Sequence, residues 1–493
     1  MVASGRYSDD GLKNTVRIYS HSIFFKFYRV YIVFVFALKY NRCVRGDTDN
    51  MNIKQDLTTG NISKKLWGFA VPLMLGNVMQ QLYNLADTFI VGRYIGDDAL
   101  AAVGSSYSLM TFITSVILGL CLGSSAFFSI EFGRNDIKRL KNGVFVSFMM
   151  IAVFSLLMTA LSLSFQSTIM DLLKVPNEIK PLMGEYLHYI FIGIIATFLY
   201  NYFSNFLRGI GNSIIPLIFL CVSVILNIIL DVCFVLGLNM GIKGAAVATV
   251  ISQYISGIGL MIYCYLCYPN LRIQKDDVVF NKYTVLNITS LSGLTCLQQS
   301  VMNFGILMIQ GIVNSFGAQV MAGFAVAVKI DTIAYMPVQD FGNAFSTFIA
   351  QNFGAGKLGR INEGIKTSLK NIVIFCIVIS GIVCILVKPL MMLFVDASSV
   401  EVIDIGVEYL KIEGVFYIGI GVLFMLYGYY RAINKPKMSV ILTVISLGIR
   451  VVLAYILSSI DCIGVKGIWA AIPIGWIVAD IVGICGYFKC RLT

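Results

Sequence analysis

Charge is scarce in this chain: Asp, Glu, Lys and Arg make up only 13% of its 493 residues, against roughly 25% in soluble domains. With 58% hydrophobic residues and a mean hydropathy of +0.82, that shortage excludes an ordinary soluble protein. Histidine occurs only as His21 and His188, which disfavours a His-based metal site, and no zinc or haem motif is present. The run Phe353-Gly354-Ala355-Gly356-Lys357-Leu358 superficially resembles a phosphate loop but lacks its glycine spacing and the Ser or Thr after Lys. Connections between apolar runs are mostly under about twenty residues, too short for a nucleotide-hydrolysing domain. These absences point away from an enzyme and toward a protein driven by a gradient.

A membrane helix needs about 20 apolar residues, and twelve windows qualify: 66–92, 105–132, 143–165, 182–207, 214–236, 243–268, then 288–315, 321–350, 370–394, 406–430, 439–460 and 463–488. The net charge of +11 does not imply a nucleic-acid partner, because Lys and Arg cluster between the apolar runs. Twenty of them flank the two ends and every second connection, from Lys54 to Arg491. Six, Arg93, Lys174, Lys180, Lys243, Lys388 and Lys466, fall on the opposite side. Positive loops stay in the cytoplasm, so both ends of the bundle are expected there. The twelve cysteines lie mostly inside apolar runs and read as small hydrophobes, including Cys264 and Cys267, whose spacing resembles a redox pair.

Residues 1–50 depart from this pattern. Their apolar run, Ile23 to Leu38, is interrupted by Lys26 and Arg29 and has no small-residue cleavage site after it. The segment reads as a disordered extension or a start-site artefact, with a thirteenth helix as the alternative. The expected organisation is this extension, a first lobe over 51–268, a cytoplasmic linker over 269–287 and a second lobe over 288–493.

The chain is internally duplicated. FGRNDIKRLKNG at 132–143 recurs 221 residues later as FGAGKLGRINEG, pairing Phe132 with Phe353, Gly133 with Gly354, Arg139 with Arg360 and Gly143 with Gly364. Further on the offset is 223, pairing Glu185-Tyr186-Leu187 with Glu408-Tyr409-Leu410, Arg208 with Arg431, and Gly241 to Gly244 with Gly464 to Gly467. Each half holds six helices, an even number, so both copies share one orientation about an axis along the membrane normal. The expected fold is an all-α membrane protein of twelve transmembrane helices, in two six-helix lobes related by a pseudo-two-fold axis.

Ionisable groups inside apolar helices cost about 2.5 kcal/mol upward and are functional candidates by default. Asp87 lies near the outer end of the first span; an interfacial Asp is the competing reading. Asp231 and Asn227, four apart on the fifth span, share one face, and could simply satisfy each other. Asn201 and Asn205 are spaced likewise on the fourth, where amides also serve as interhelical glue. Gln81, Asn201, Gln298, Gln299 and Asp340 are candidate polar groups of a cavity. The repeat offsets carry Asp87 to Met308, Asp231 to Ala454, Asn227 to Arg450 and Asn205 to Gly428, which suggests a coupling site confined to the first lobe. Lys329, Asp331, Asp340, Glu413 and Asp480 also map to uncharged positions and could line the substrate side, with mutual neutralisation of Lys329 and Asp331 slightly preferred. Pro72 and Pro337 are candidate bending points, although prolines also occur in membrane helices with no gating role.

Collectively these residues resemble the multidrug and toxic compound extrusion family, in its DinF-like branch with the MepA-type pumps. The resemblance covers roughly residues 60–490, carried by Pro72, LADTFIVGRYIG at 85–96, ALAAVG at 99–104, RGIGNSIIP at 208–216, NIILD at 227–231, GIKGAAVATVISQ at 241–253 and AQNFGAGKLGR at 350–360. It implies a V-shaped pair of lobes and export of cationic, amphipathic compounds in exchange for H+ or Na+ from a bacterial plasma membrane. It implies coupling at Asp87, Asn205, Asn227 and Asp231, with Na+ as a possible occupant and no other metal or cofactor. The bilayer and the exported molecules are the implied partners of a monomer. The acid that another branch carries in the seventh span is replaced here by Gln298 and Gln299.

A carboxylate such as Asp87, desolvated among apolar side chains, can exchange a proton within a physiological pH range, and its neutralisation would free the first span to bend at Pro72. The alternative functions are a lipid-linked precursor flippase, which needs a more cationic cavity, and a passive channel, which fits duplicated lobes poorly.

Overall fold

The computed structural model describes residues 56–173 and 175–489; the expected extension at 1–50, with His21, lies outside the described residues. The described residues are helical, with no strand among them. The helices are α1 (Ile62–Tyr94), α2 (Asp97–Gly133), α3 (Ile137–Ser164), the short α4 (Gln166–Leu172), α5 (Lys180–Ile192), α6 (Ile194–Gly209), α7 (Ile214–Asp231) and α8 (Gly241–Cys267). The second half follows with α9 (Lys282–Asn314), α10 (Ala318–Gly354), α11 (Leu358–Met392), α12 (Val400–Val415), α13 (Tyr417–Ala432), α14 (Pro436–Ser458) and α15 (Val465–Lys489).

Among the described residues, nine helices are long and apolar enough to cross a membrane, and eleven crossings result when each bent pair, α5 with α6 and α12 with α13, counts as one. The twelfth is α1, whose composition is diluted by Asn77, Gln80, Gln81, Asn84 and Asp87. At 33 residues it is about 50 Å long, and it packs against α7 and α10. Leu156, Leu157, Ile385, Val452 and Ile456 are each more than half exposed, an apolar exterior that suits a bilayer and not water.

The duplication visible in the sequence is repeated in the backbone. Gly96 and Gly317 turn α1 into α2 and α9 into α10 with φ of 121° and 97°, a region that favours glycine. Asn135 and Gly356 match in the same way. The ring of Phe127 seats on Gly143, and that of Phe348 on Gly364. Ser125 Oγ donates to the Asn205 carbonyl at 2.8 Å, and Ser346 Oγ to the Gly428 carbonyl at 2.9 Å. The broken crossings bend by 41° at Gly193 and by 54° at Phe416, positions again 223 apart. Pro72 and Pro337 both lie inside continuous helices.

The twelve crossings form two lobes of six, and the first crossing of each lobe reaches across to the other. α1 packs on α10 as well as on α7, and α9 packs on α2 as well as on α14. The described inter-lobe contacts concentrate toward one membrane face, the one holding Ile62, Gly133, Gly354 and Lys489. There Gly133 meets the Gln351 carbonyl and Gly354 the Ile130 carbonyl, Ser124 and Ser292 share a hydrogen bond at 2.8 Å, and Trp67 packs on Phe341 with centroids 5.2 Å apart. The segment before α1 is strapped to the second lobe: Gln351 Oε1 accepts from Leu57 N, and Arg360 donates to the carbonyls of Leu57, Thr59 and Gly60. Toward the other face, Leu85, Phe89, Tyr107 and Phe304 are all more than half exposed. The lobes are thus closed on each other at the face of the described chain ends.

Candidate functional site

Asp87 sits on α1 seven residues before its end at Tyr94, and Asp231 is the last residue of α7 before that helix widens into a π turn at Val232–Gly237. π turns inside helices recur at functional sites because they re-aim side chains. Since α1 packs on α7, the two carboxyls come within electrostatic range of each other in the half of the first lobe away from the closed face. Asp231 and Asn227 are fully buried, and Asp87 is 7% exposed. Asn227 adjoins Asp231 on the same helix face.

The site is short of hydrogen-bond donors. Asp87 Oδ1, both Asp231 carboxylate oxygens and Asn227 Oδ1 are buried with no hydrogen-bond partner. A buried acceptor left unmet costs about 1–3 kcal/mol, more if charged. Four such oxygens gathered in one apolar lobe form a place that a proton or a hard cation would complete.

Three further residues belong to this group. Thr249 on α8 accepts from Asn227 Nδ2 at 3.5 Å, and Tyr83 on α1 and Tyr186 on α5 lie within electrostatic range of both carboxylates. Nothing in the local sequence marks Thr or Tyr inside an apolar run, but Tyr83 stands one turn from Asp87, and that spacing was a usable signal.

The structure does not bring Asn205 into the group. Its amide donates to the Asn201 carbonyl of its own helix at 2.9 Å. It lies four residues from the closed-face end of α6 at Gly209, whereas Asp231 lies 17 residues beyond the closed-face start of α7 at Ile214. At about 1.5 Å per residue, the two differ in depth by roughly 20 Å. Asn201 likewise bonds back to the Thr197 carbonyl at 2.8 Å.

Asp340 and Gln81 lie between the lobes. Asn77 Nδ2 on α1 donates to Asp340 Oδ2 on α10 at 2.6 Å, and Gln81 Nε2 approaches Met336 Sδ at 3.6 Å. Helix α1 therefore carries both Asp87 and the polar contacts that tie the lobes. Gln298 is buried on α9 and Gln299 half-buried beside it. Asp331 is not neutralised by Lys329: two positions apart on α10, they face different ways, Lys329 exposed and Asp331 buried. Asp331 instead accepts from Tyr417 OH at 2.7 Å. Cys264 and Cys267 form no disulfide with each other.

The family model MatE matches residues 72–233 and 295–456, one copy per lobe. The chain is 31% identical over 399 residues to the probable multidrug resistance protein YpnP of Bacillus subtilis, covering 79% of this chain and 87% of that protein. It is 23% identical over 422 residues to the multidrug export protein MepA of Staphylococcus aureus, covering 83% and 90%. A solved MATE transporter described as outward-facing shares the fold with a TM-score of 0.82 at 22% identity, over 90% of this chain and 100% of that one. A matched repeat in each lobe, and a relative above 30% identity along most of both chains, place this protein in the MatE family of multi-pass membrane transporters.

Proposed function

We propose that the chain is a multidrug exporter that expels cationic amphipathic compounds by antiport with H+ or Na+ through alternating access. The observation that carries this reading is the group of four unpartnered oxygens on Asp87, Asp231 and Asn227, in the half of the bundle away from the closed face. The closed face bears most of the Lys and Arg and is read as cytoplasmic, so both described ends of the bundle lie in the cytoplasm and the carboxyls lie in the outward half. A proton or Na+ arriving from outside neutralises the group. Because α1 also holds the Asn77 to Asp340 bond, a shift of α1 at its outer end is transmitted to the contact that keeps the inner face shut. Cationic substrate and coupling ion favour different states of the same helix, and their exchange is therefore reciprocal.

The protein works in this reading as a monomer in the bilayer. A lipid-linked precursor flippase would need free cations for phosphate groups. Arg431, by contrast, is engaged by Asn343 at 3.0 Å and by Ser346 at 3.3 Å.

The test is efflux of a cationic dye from proteoliposomes under an imposed pH or Na+ gradient. Wild-type protein is expected to transport under one of the two gradients, and Asp87→Asn, at equal incorporation, to fall to the protein-free background. Undiminished transport by that variant would refute the assignment.

A further inference from the structure

The closed face carries a recess that export of a substrate does not use, a cavity of about 270 Å³ in the first lobe. Its walls include Leu57 and Asn61 before α1, Lys64, Lys65 and Phe69 in the first turns of α1, and Ser213 at the start of α7. Gln351 of the second lobe ties its two sides together, accepting from Leu57 N at 3.2 Å and donating to the Gly209 carbonyl at 3.0 Å.

The local sequence makes this recess rich in donors and positive charge. Asn61 caps α1 by accepting from Lys64 N at 3.0 Å. At α7 the capping is done one residue early, because Asn212 Oδ1 accepts from Ile215 N at 3.2 Å. Ser213, the N-cap residue itself, therefore makes no side-chain cap bond. It is only 2% exposed and lines the recess, and a buried hydroxyl in that position calls for a partner. Lys64 is exposed and Lys65 half-buried, and the first N–H groups of α7 add the positive end of an 18-residue helix. No acidic residue is among the walls. Asp56, beside Leu57 in the chain, is taken up by its own turn, accepting from Thr58 N at 2.7 Å and from the hydroxyls of Thr58 and Thr59. The arrangement is not duplicated: the repeat offsets carry Lys64 to Val285, Lys65 to Leu286 and Ser213 to Pro436.

We propose that this recess binds the phosphate of an acidic phospholipid from the cytoplasmic leaflet and thereby braces the closed face. Ser213 donates to a phosphate oxygen, Lys64 and Lys65 balance its charge, and the buried Leu57 and Phe69 supply an apolar wall for the glycerol and the start of the acyl chains. The placement favours a lipid over a dissolved anion, since lysines at the first turn of a membrane-crossing helix lie at headgroup depth. A headgroup that holds the segment before α1 against the turn from α6 to α7 favours the arrangement in which Gln351 spans both. Binding of this kind is independent of the coupling ion and of the exported compound.

The experiment is native mass spectrometry and thermal unfolding of the purified full chain in detergent with phosphatidylglycerol or phosphatidylcholine added. Wild-type protein is expected to bind phosphatidylglycerol at least about tenfold more tightly than phosphatidylcholine, and its unfolding midpoint to rise with the first lipid alone. Lys64→Gln combined with Lys65→Gln should abolish the preference, and Ser213→Ala should weaken phosphatidylglycerol binding about fivefold. Lys437→Gln, at an exposed lysine that begins α14 in the other lobe, should leave both readouts unchanged. A preference retained in the Lys64 and Lys65 variant, or lost equally in Lys437→Gln, would overturn the site. Displacement of the lipid by inorganic phosphate would make a dissolved anion the occupant and overturn the lipid assignment, and binding without a rise in midpoint would overturn the brace.

Discussion

Gly133 and Gly354 meet the opposite lobe reciprocally, the first against the carbonyl of Gln351 and the second against the carbonyl of Ile130. The four positions are related by the same 221-residue offset, so this contact straddles the pseudo-two-fold axis at the closed face. A Cβ on either glycine would lie far inside contact distance of a backbone carbonyl, where no side chain can yield.

Gly354→Ala should therefore destabilise the closed arrangement by roughly 1–3 kcal/mol, the usual cost of overpacking. Thermal unfolding in detergent should show a midpoint several degrees lower than wild type. An unchanged midpoint would mean that the lobes do not meet this closely.

Arg360→Ala removes the bonds to the carbonyls of Leu57, Thr59 and Gly60, at 3.1, 2.9 and 2.8 Å. These bonds are partly exposed, so their combined worth is about 1–3 kcal/mol. Hydrogen exchange at the Leu57 amide, which donates to Gln351, should accelerate about tenfold. Protection equal to wild type would show that the strap does not depend on the guanidinium.

Thr249→Val deletes the acceptor of Asn227 Nδ2 at nearly constant volume, leaving a buried amide donor unmet at a cost of about 1–3 kcal/mol. Gradient-driven efflux should drop at least about fivefold, and Thr249→Ser should restore most of it. Equal activity in Thr249→Val would remove Thr249 from the group.

Much of the fold was legible in the sequence because hydropathy, charge bias and duplication report on the same bundle. The offsets of 221 and 223 already pair Gly96 with Gly317 and Gly193 with Phe416. That the second of these pairs marks breaks was not legible, since Phe416 has no helix-breaking chemistry and its break depends on packing. Asp87, Asp231 and Asn227 could be placed together because helix direction and depth follow from topology. Asn205 was misplaced because motif resemblance carries no depth.

The central claim is that substrate and coupling ion compete through the Asp87 group, and substrate-induced ion release from purified protein tests it most directly. Adding a cationic substrate to wild-type protein in weakly buffered detergent should release protons, or should bind with an affinity that falls as Na+ rises, and Asp87→Asn should show neither effect. Substrate binding that releases no proton and is indifferent to both pH and Na+ would contradict the account.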